Sequence, residues 1–161
     1  MNFKIVGAFA AVALLAACSH KPAETSAGAM TQTTQAPPPV GIVPGSQEDL
    51  VANVGDRVFY AFNTSGLSSD AHATLDRQSS WLGKYPQDGV QIAGNCDERG
   101  TEEYNIALGQ RRANAARDYL VAHGVASSRI STISYGKDRP TALGSDEAAY
   151  QQNRNAITSV R

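Results

Sequence analysis

The sequence predicts an α+β domain with helices layered on one sheet, preceded by a segment that is not part of it. Three observations carry this. Strand-like and helix-like runs follow residue 46 in the order β-α-β-α-β-(short α)-β. The longest helix has one apolar half. The first 45 residues hold only Lys4, Lys21 and Glu24 as charged side chains, and residues 19–45 have little that can pack. The 161 residues suit one domain of about the usual size.

The elements follow in order. Ser46 precedes Gln47, Glu48 and Asp49, which reads as an N-cap with acids in the first turn of a short helix. Asp56 to Phe62 is dense in aromatic and β-branched residues and reads as a strand. Ser69 to Tyr85 is helical, with Ala71, Leu75 and Leu82 at compatible spacing and Pro86 beyond its end. Val90 to Asn95 is a second strand. Thr101 caps the long helix, Glu102 and Glu103 favour its positive end, and Gly124 fits its left-handed C-terminal position. Arg129 to Tyr135 reads as a third strand. Asp146 to Gln152 reads as a short helix capped by Ser145, and Ala156 to Val160 as a final strand.

The N-terminus reads as an export signal. Lys4 is followed by an uncharged apolar run from Ile5 to Ala17, shorter than the roughly 20 residues that span a bilayer. It ends in Leu15-Ala16-Ala17-Cys18, which is similar to a bacterial lipobox. That similarity implies residues 1–17 as a cleaved lipoprotein signal and Cys18 as the acylated residue. Acyl chains contribute about 0.8 kcal/mol per buried methylene, and two chains give stable anchoring. In lipoproteins of that kind an Asp after the cysteine favours inner-membrane retention, so with Ser19 the similarity implies the outer membrane. Residues 18–45 then read as a low-complexity Pro/Thr/Gln-rich tether, about 28 Å end to end and roughly 90 Å when extended. Residues 46–161 are the folded domain.

One charge stands out on the long helix. With 100° per residue, Ile106, Leu108, Gly109, Ala113, Ala115, Ala116, Tyr119 and Leu120 share one half of the wheel, and Arg112 lies among them. A guanidinium facing the sheet cannot deprotonate and is costly if unpaired, so a carboxylate is expected to meet it. Asp97, in the turn entering this helix, is the nearest candidate. Two readings stand side by side: a structural Asp97–Arg112 pair, or a site with one acidic and one basic pole for the amino-acid end of a zwitterion. Arg111, on the opposite face, reads as a solvated charge.

Around these residues a wider pattern appears. Asp97-Glu98-Arg99-Gly100, Glu103-Tyr104-Asn105, Leu108-Gly109, Arg111-Arg112-Ala113-Asn114-Ala115, Ile133-Ser134-Tyr135-Gly136-Lys137, Glu147-Ala148-Ala149-Tyr150 and Asn153-Arg154 closely resemble the OmpA-like peptidoglycan-binding domain family, in its lipid-anchored members. The resemblance runs from about Asp56 to the end. It implies a mixed four-stranded sheet with two helices on one face, and non-covalent binding of the meso-diaminopimelate of peptidoglycan stems. By position, Asp97 and Arg112 match the family's diaminopimelate-binding Asp and Arg. Leu108 and Asn105 share that stripe and line or brace the pocket, and Phe62 and Asn63 match an aromatic-Asp contact. The resemblance also implies an outer-membrane location facing the periplasm. Its implied partner is the periplasmic β-propeller of the Tol system, with a part in envelope constriction at division. Four residues depart from the family's usual types: Asn63 for Asp, Asn95 for His, Gln110 for Glu and Asn155 for Arg. Each keeps hydrogen-bonding capacity and drops a charge or a titratable group.

Other classes find less support. A net charge of −1, from 14 basic and 15 acidic residues, offers no basic stripe for nucleic acid. No metal-ligand spacing, phosphate-binding Gly-rich loop or Gly-x-Ser-x-Gly elbow is present, and no cofactor is expected. The alternatives to a wall-binding tether are a wall hydrolase using Cys96, with His72 or His123 as its base, and a purely structural lipoprotein. A lone structural thiol is the simpler reading of Cys96.

Overall fold

A computed structural model describes residues 41–161, which fall within one compact unit, Pro39–Arg161. The expected signal, Cys18 and most of the tether lie outside the described residues. Ser46 caps α1 (Gln47–Asp49), its Oγ accepting from the Asp49 amide at 3.2 Å, and the chain continues as a π-helical turn over Leu50–Val54. Then follow β1 (Arg57–Phe59), α2 (Ser69–Lys84), β2 (Val90–Asn95), α3 (Glu102–Ala122), a 3-10 turn (Ser127–Arg129), β3 (Ile130–Gly136), α4 (Glu147–Asn153) and β4 (Asn155–Val160).

The sheet order is β1-β4-β2-β3, with β2 and β3 parallel and both pairings of β4 antiparallel. The expected mixed four-stranded sheet is therefore the observed one. Along β2 the alternate positions Val90, Ile92 and Gly94 are buried, as one face of a pleated strand should be when helices cover it. Leu75, Trp81 and Leu82 of α2 and Ala113, Ala116 and Leu120 of α3 join them in a single core. Trp81 Nε1 donates to Asp49 Oδ2 at 2.9 Å and ties α1 to α2.

Three local expectations shift. β1 is shorter than Asp56–Phe62 and pairs with β4 only over Arg57–Phe59. Beyond it the carbonyls of Ala61 and Thr64 accept from Arg112 instead of a strand, and Asn63 turns the chain with φ +57°, which Asn tolerates better than most residues. The cap of α4 is Asp146, whose Oδ1 accepts from the Ala149 amide at 2.7 Å, and not Ser145. Ile106, placed on the apolar half, is 38% exposed because it sits at the edge of the buried stripe. Asn105 and Arg112 are buried on that stripe of α3, as expected.

α3 and β2 approach each other closely. A Cβ on Gly94 would stand 1.8 Å from the Gly109 carbonyl oxygen, so two backbones meet where no side chain fits. Gly109 lies one turn before Arg112, and Gly94 immediately precedes Asn95. This contact sets the depth at which the helix delivers Arg112 beside the end of β2.

Candidate functional site

All six side chains singled out around the pocket converge. Phe62, Asn63, Asp97, Asn105, Leu108 and Arg112 line one pocket of about 180 Å³, together with Cys96, Arg99, Gly100 and Tyr104. Drug-sized sites are roughly 300–1,000 Å³, so this one fits the end of a side chain. It opens at the carboxyl end of β2, where the loop to α3 and the segment after β1 meet.

Arg112 forms its floor and is 1% exposed. Its Nε donates to the Thr64 carbonyl at 2.9 Å, Nη1 to the Asn95 carbonyl at 2.8 Å and to Cys96 Sγ at 3.3 Å, and Nη2 to the Ala61 carbonyl at 3.2 Å. A guanidinium has five N–H donors, so one on Nη2 is uncommitted. Tyr60 lies under it, 5.2 Å from ring centroid to guanidinium carbon, with its hydroxyl on the Arg112 carbonyl at 2.8 Å. The expected carboxylate is absent: among the described residues Arg112 forms no ion pair, and the reading of a direct Asp97–Arg112 pair is corrected. Main-chain carbonyls from the end of β2 and from two positions after β1 satisfy the hydrogen bonds without neutralising the charge. Burial accordingly pushes the guanidinium below its ordinary value, though it stays cationic.

Asp97 instead answers to two other arginines. Arg99 donates to it from Nε at 3.1 Å, from Nη2 at 2.6 Å and from its backbone amide at 3.2 Å, and Arg154 donates from Nη1 at 3.3 Å. Burial would raise the Asp97 carboxyl, but the hydrogen bonds from Arg99 and then Arg154 outweigh it and hold it below its ordinary value. A depressed folded-state value gives stability that is complete above the usual range, about pH 4, and lost as pH falls through the lowered value. Asp97→Asn is therefore expected to cost stability at pH 7 and to flatten the loss on acidification, measured as urea midpoints between pH 7 and pH 2. An equally steep acid limb in the variant would contradict this.

The loop is held from several sides. Asn105, 2% exposed, donates from Nδ2 to the Arg99 carbonyl at 2.8 Å, which makes it a brace for the loop as well as part of the wall. Lys137 Nζ donates to the Gly100 carbonyl at 2.9 Å, and Gly100 turns with φ +92°. Asn63 accepts from the Tyr104 hydroxyl at the rim. Leu108 is buried and apolar beneath it.

Of the four departures, only Asn63 is in the pocket wall. Asn95 and Asn155 are partners, Asn95 Nδ2 donating to Asn155 Oδ1 at 2.7 Å, so the two changes share one hydrogen bond between β2 and β4. Gln110 donates to Asn114 and Thr132 between α3 and β3, away from the site.

Cys96 is a buried free thiol. It donates to the Asn105 carbonyl at 3.4 Å, and burial pushes its pKa up. His72 and His123 stack on Tyr119, with ring centroids 4.7 and 4.0 Å away, and neither is among the hydrogen-bond partners of Cys96. Neither of the two histidines considered as base for a thiol hydrolase is therefore placed beside Cys96.

Sequence reasoning gave no role to Arg99, Tyr104 or Arg154. The readable sign for Arg99 was its place two residues after Asp97 in a turn at a strand's carboxyl end. Arg154 carried no such sign, since its distance from Asp97 in the chain is bridged only by β4 lying beside β2.

A mixed sheet with helices on one face and an acid-base pocket beside the end of β2 defines an OmpA-like domain, and residues 59–154 match the OmpA family. The chain belongs to that family. It is 56% identical over 115 residues to the peptidoglycan-associated lipoprotein of Rhizobium meliloti (strain 1021), covering 71% of this chain and 65% of that protein. It is 40% identical over 154 residues to the peptidoglycan-associated lipoprotein of Pasteurella multocida (strain Pm70), covering 96% and 95%. The crystal structure of the peptidoglycan-associated lipoprotein from Burkholderia pseudomallei superimposes with a TM-score of 0.64 at 40% identity, over 66% of this chain and 90% of that one. The C-terminal domain of Helicobacter pylori MotB, at 18% identity and a TM-score of 0.62 over 66% and 84%, shares the fold.

Proposed function

We propose that this domain binds the free amino-acid end of diaminopimelate in peptidoglycan stem peptides without covalent chemistry. With Cys18 lipidated, the chain would tie the outer membrane to the wall from its periplasmic side, in company with the Tol system's β-propeller and with a part in constriction at division. The observation that carries this reading is Arg112: a buried guanidinium on the floor of an open pocket, with hydrogen bonds to carbonyls but to no carboxylate among the described residues. A ligand carboxylate there would supply the missing negative charge and take the uncommitted Nη2 donor. The ionised Asp97 in the wall offers an opposite pole for the adjacent ammonium. Both charges on one ligand carbon answer to both poles, which a lone anion or a lone cation does not do. The similarity to proteins named peptidoglycan-associated lipoproteins supports the same substrate and envelope location.

The test is co-sedimentation of Pro39–Arg161 with purified sacculi. The domain is expected to pellet, free meso-diaminopimelate to release it, and Asp97→Asn to lose most of the pelleted fraction while keeping its circular dichroism. A folded Asp97→Asn domain that pellets like the parent would remove this pocket from the proposal.

A further inference from the structure

The acidic pole of the pocket is already occupied by the chain itself. A carboxylate has about four acceptor directions. On Asp97, Oδ1 accepts from the backbone amide and Nε of Arg99, and Oδ2 accepts from Arg99 Nη2 and Arg154 Nη1. No direction is left for an incoming ammonium. Of the two arginines, Arg154 is locked, with its side chain 3% exposed and further bonds to the Tyr60 carbonyl and to Glu147. Arg99 is not: its side chain is 37% exposed. Its guanidinium carbon lies over two rings, 4.2 Å from the Phe62 centroid and 4.3 Å from that of Tyr150, in the manner of a cation held by aromatic faces. A second carboxylate also waits for it, Glu147 Oε2 being 3.7 Å from Arg99 Nη1.

We infer that Arg99 is a resident cation, standing where the ligand's ammonium must go, and that it sets the specificity of the site by exchange. This rests on the reading of the pocket as a receptor for an amino-acid end. A bare ammonium that enters replaces one cation on Asp97 by another, so it adds little charge pairing. An amino-acid end makes the same exchange and also brings a carboxylate to Arg112, where none was before. The acidic pole thus admits the ligand, and the basic pole supplies the net attraction. The displaced Arg99 turns outward towards Glu147, keeping its charge paired while the aromatic faces are freed for the ligand's stem.

Two measurements on the full chain test this. Titrations compare the tripeptide L-Ala-γ-D-Glu-meso-diaminopimelate with its L-lysine counterpart, which ends in a bare ammonium. The protein is expected to bind the first and not measurably the second. Arg99→Met keeps an apolar stem between the rings and removes the charge. It is expected to bind the diaminopimelate peptide about tenfold more tightly and to bring lysine-peptide binding into range. Unchanged or weaker binding of the diaminopimelate peptide by Arg99→Met overturns the exchange, the weaker case meaning that Arg99 contacts the ligand directly. Absence of diaminopimelate-peptide binding by both proteins overturns the reading of the pocket, and with it the proposal. The second measurement needs no variant and decides if Arg99→Met does not fold. The Arg99 Nε–H resonance of the parent protein should shift and lose its protection from solvent exchange as the diaminopimelate peptide saturates. A resonance unmoved at saturation overturns the proposal.

Discussion

Gly94→Ala is expected to destabilise the domain by about 3 kcal/mol or more, lowering the melting temperature by roughly 10 °C or more. The added Cβ would stand 1.8 Å from the Gly109 carbonyl oxygen, 2.6 Å from its carbon and 3.1 Å from the Ala113 nitrogen. All three are backbone atoms, so no side chain can swing away and the whole of α3 has to rise from β2. The reciprocal change, Gly109→Ala, meets the Ser134 hydroxyl at 2.3 Å, which can rotate, but also the Gly94 carbonyl oxygen at 2.7 Å, which cannot. It is expected to cost less than Gly94→Ala. Lifting α3 also carries Arg112 away from the Asn95 carbonyl, so ligand affinity should fall together with the melting temperature. Thermal unfolding of the two variants checks the order, and a Gly94→Ala protein as stable as the parent would mean that the two backbones are not in contact.

Arg112→Lys keeps the charge and loses the fork. A lysine ammonium cannot reach the carbonyls of Ala61, Thr64 and Asn95 from one point as the planar guanidinium does. Leaving part of this set unpaired is expected to cost about 2–4 kcal/mol, because a buried acceptor without a donor costs roughly 1–3 kcal/mol. The segment after β1 should loosen first, since Arg112 supplies the hydrogen bonds to Ala61 and Thr64 there. Hydrogen exchange over residues 60–66 and urea unfolding read the two effects separately. Binding to sacculi, measured at a temperature where the variant is still folded, is expected to fall at least tenfold, about 1.4 kcal/mol. Retention of full binding by Arg112→Lys would show that a point charge suffices and that the planar fork does not hold the ligand.

The sequence was most legible where the signal is short-range. Ser46 and Thr101 cap their helices as read, β2 spans Val90–Asn95 as read, and Gly124 takes a positive φ of 94° at the end of α3. Each depends on groups within a turn of one another, so the local chain contains the whole cause. The position of Arg112 on the buried face was also legible, because the 100° step of a helix is fixed by its own hydrogen bonds. The end of β1 was not, since it depends on a partner from elsewhere: Arg112 draws the carbonyls after β1 away from the sheet. The cap of α4 is local but falls one residue later than read, because Asp146 and not Ser145 accepts from the Ala149 amide.

A run of apolar residues, caps and one misplaced charge thus pointed by themselves to the element order, the buried face of α3 and the candidates Asp97 and Arg112, while Phe62, Asn63, Asn105 and Leu108 were reached through the family resemblance. They also showed that a chain of near-zero net charge can still present one acidic and one basic pole. Which charge meets which was decided only by the tertiary structure. Arg112 meets three carbonyls and no acid, while Asp97 is shared between Arg99, two residues away, and Arg154, which the pairing of β4 with β2 brings beside it. The physical reason is that helical and strand periodicity fix the direction of a side chain, whereas ion pairing falls off over a few ångströms. Those ångströms are set by the closeness of Gly94 to Gly109 and by the order of strands in the sheet.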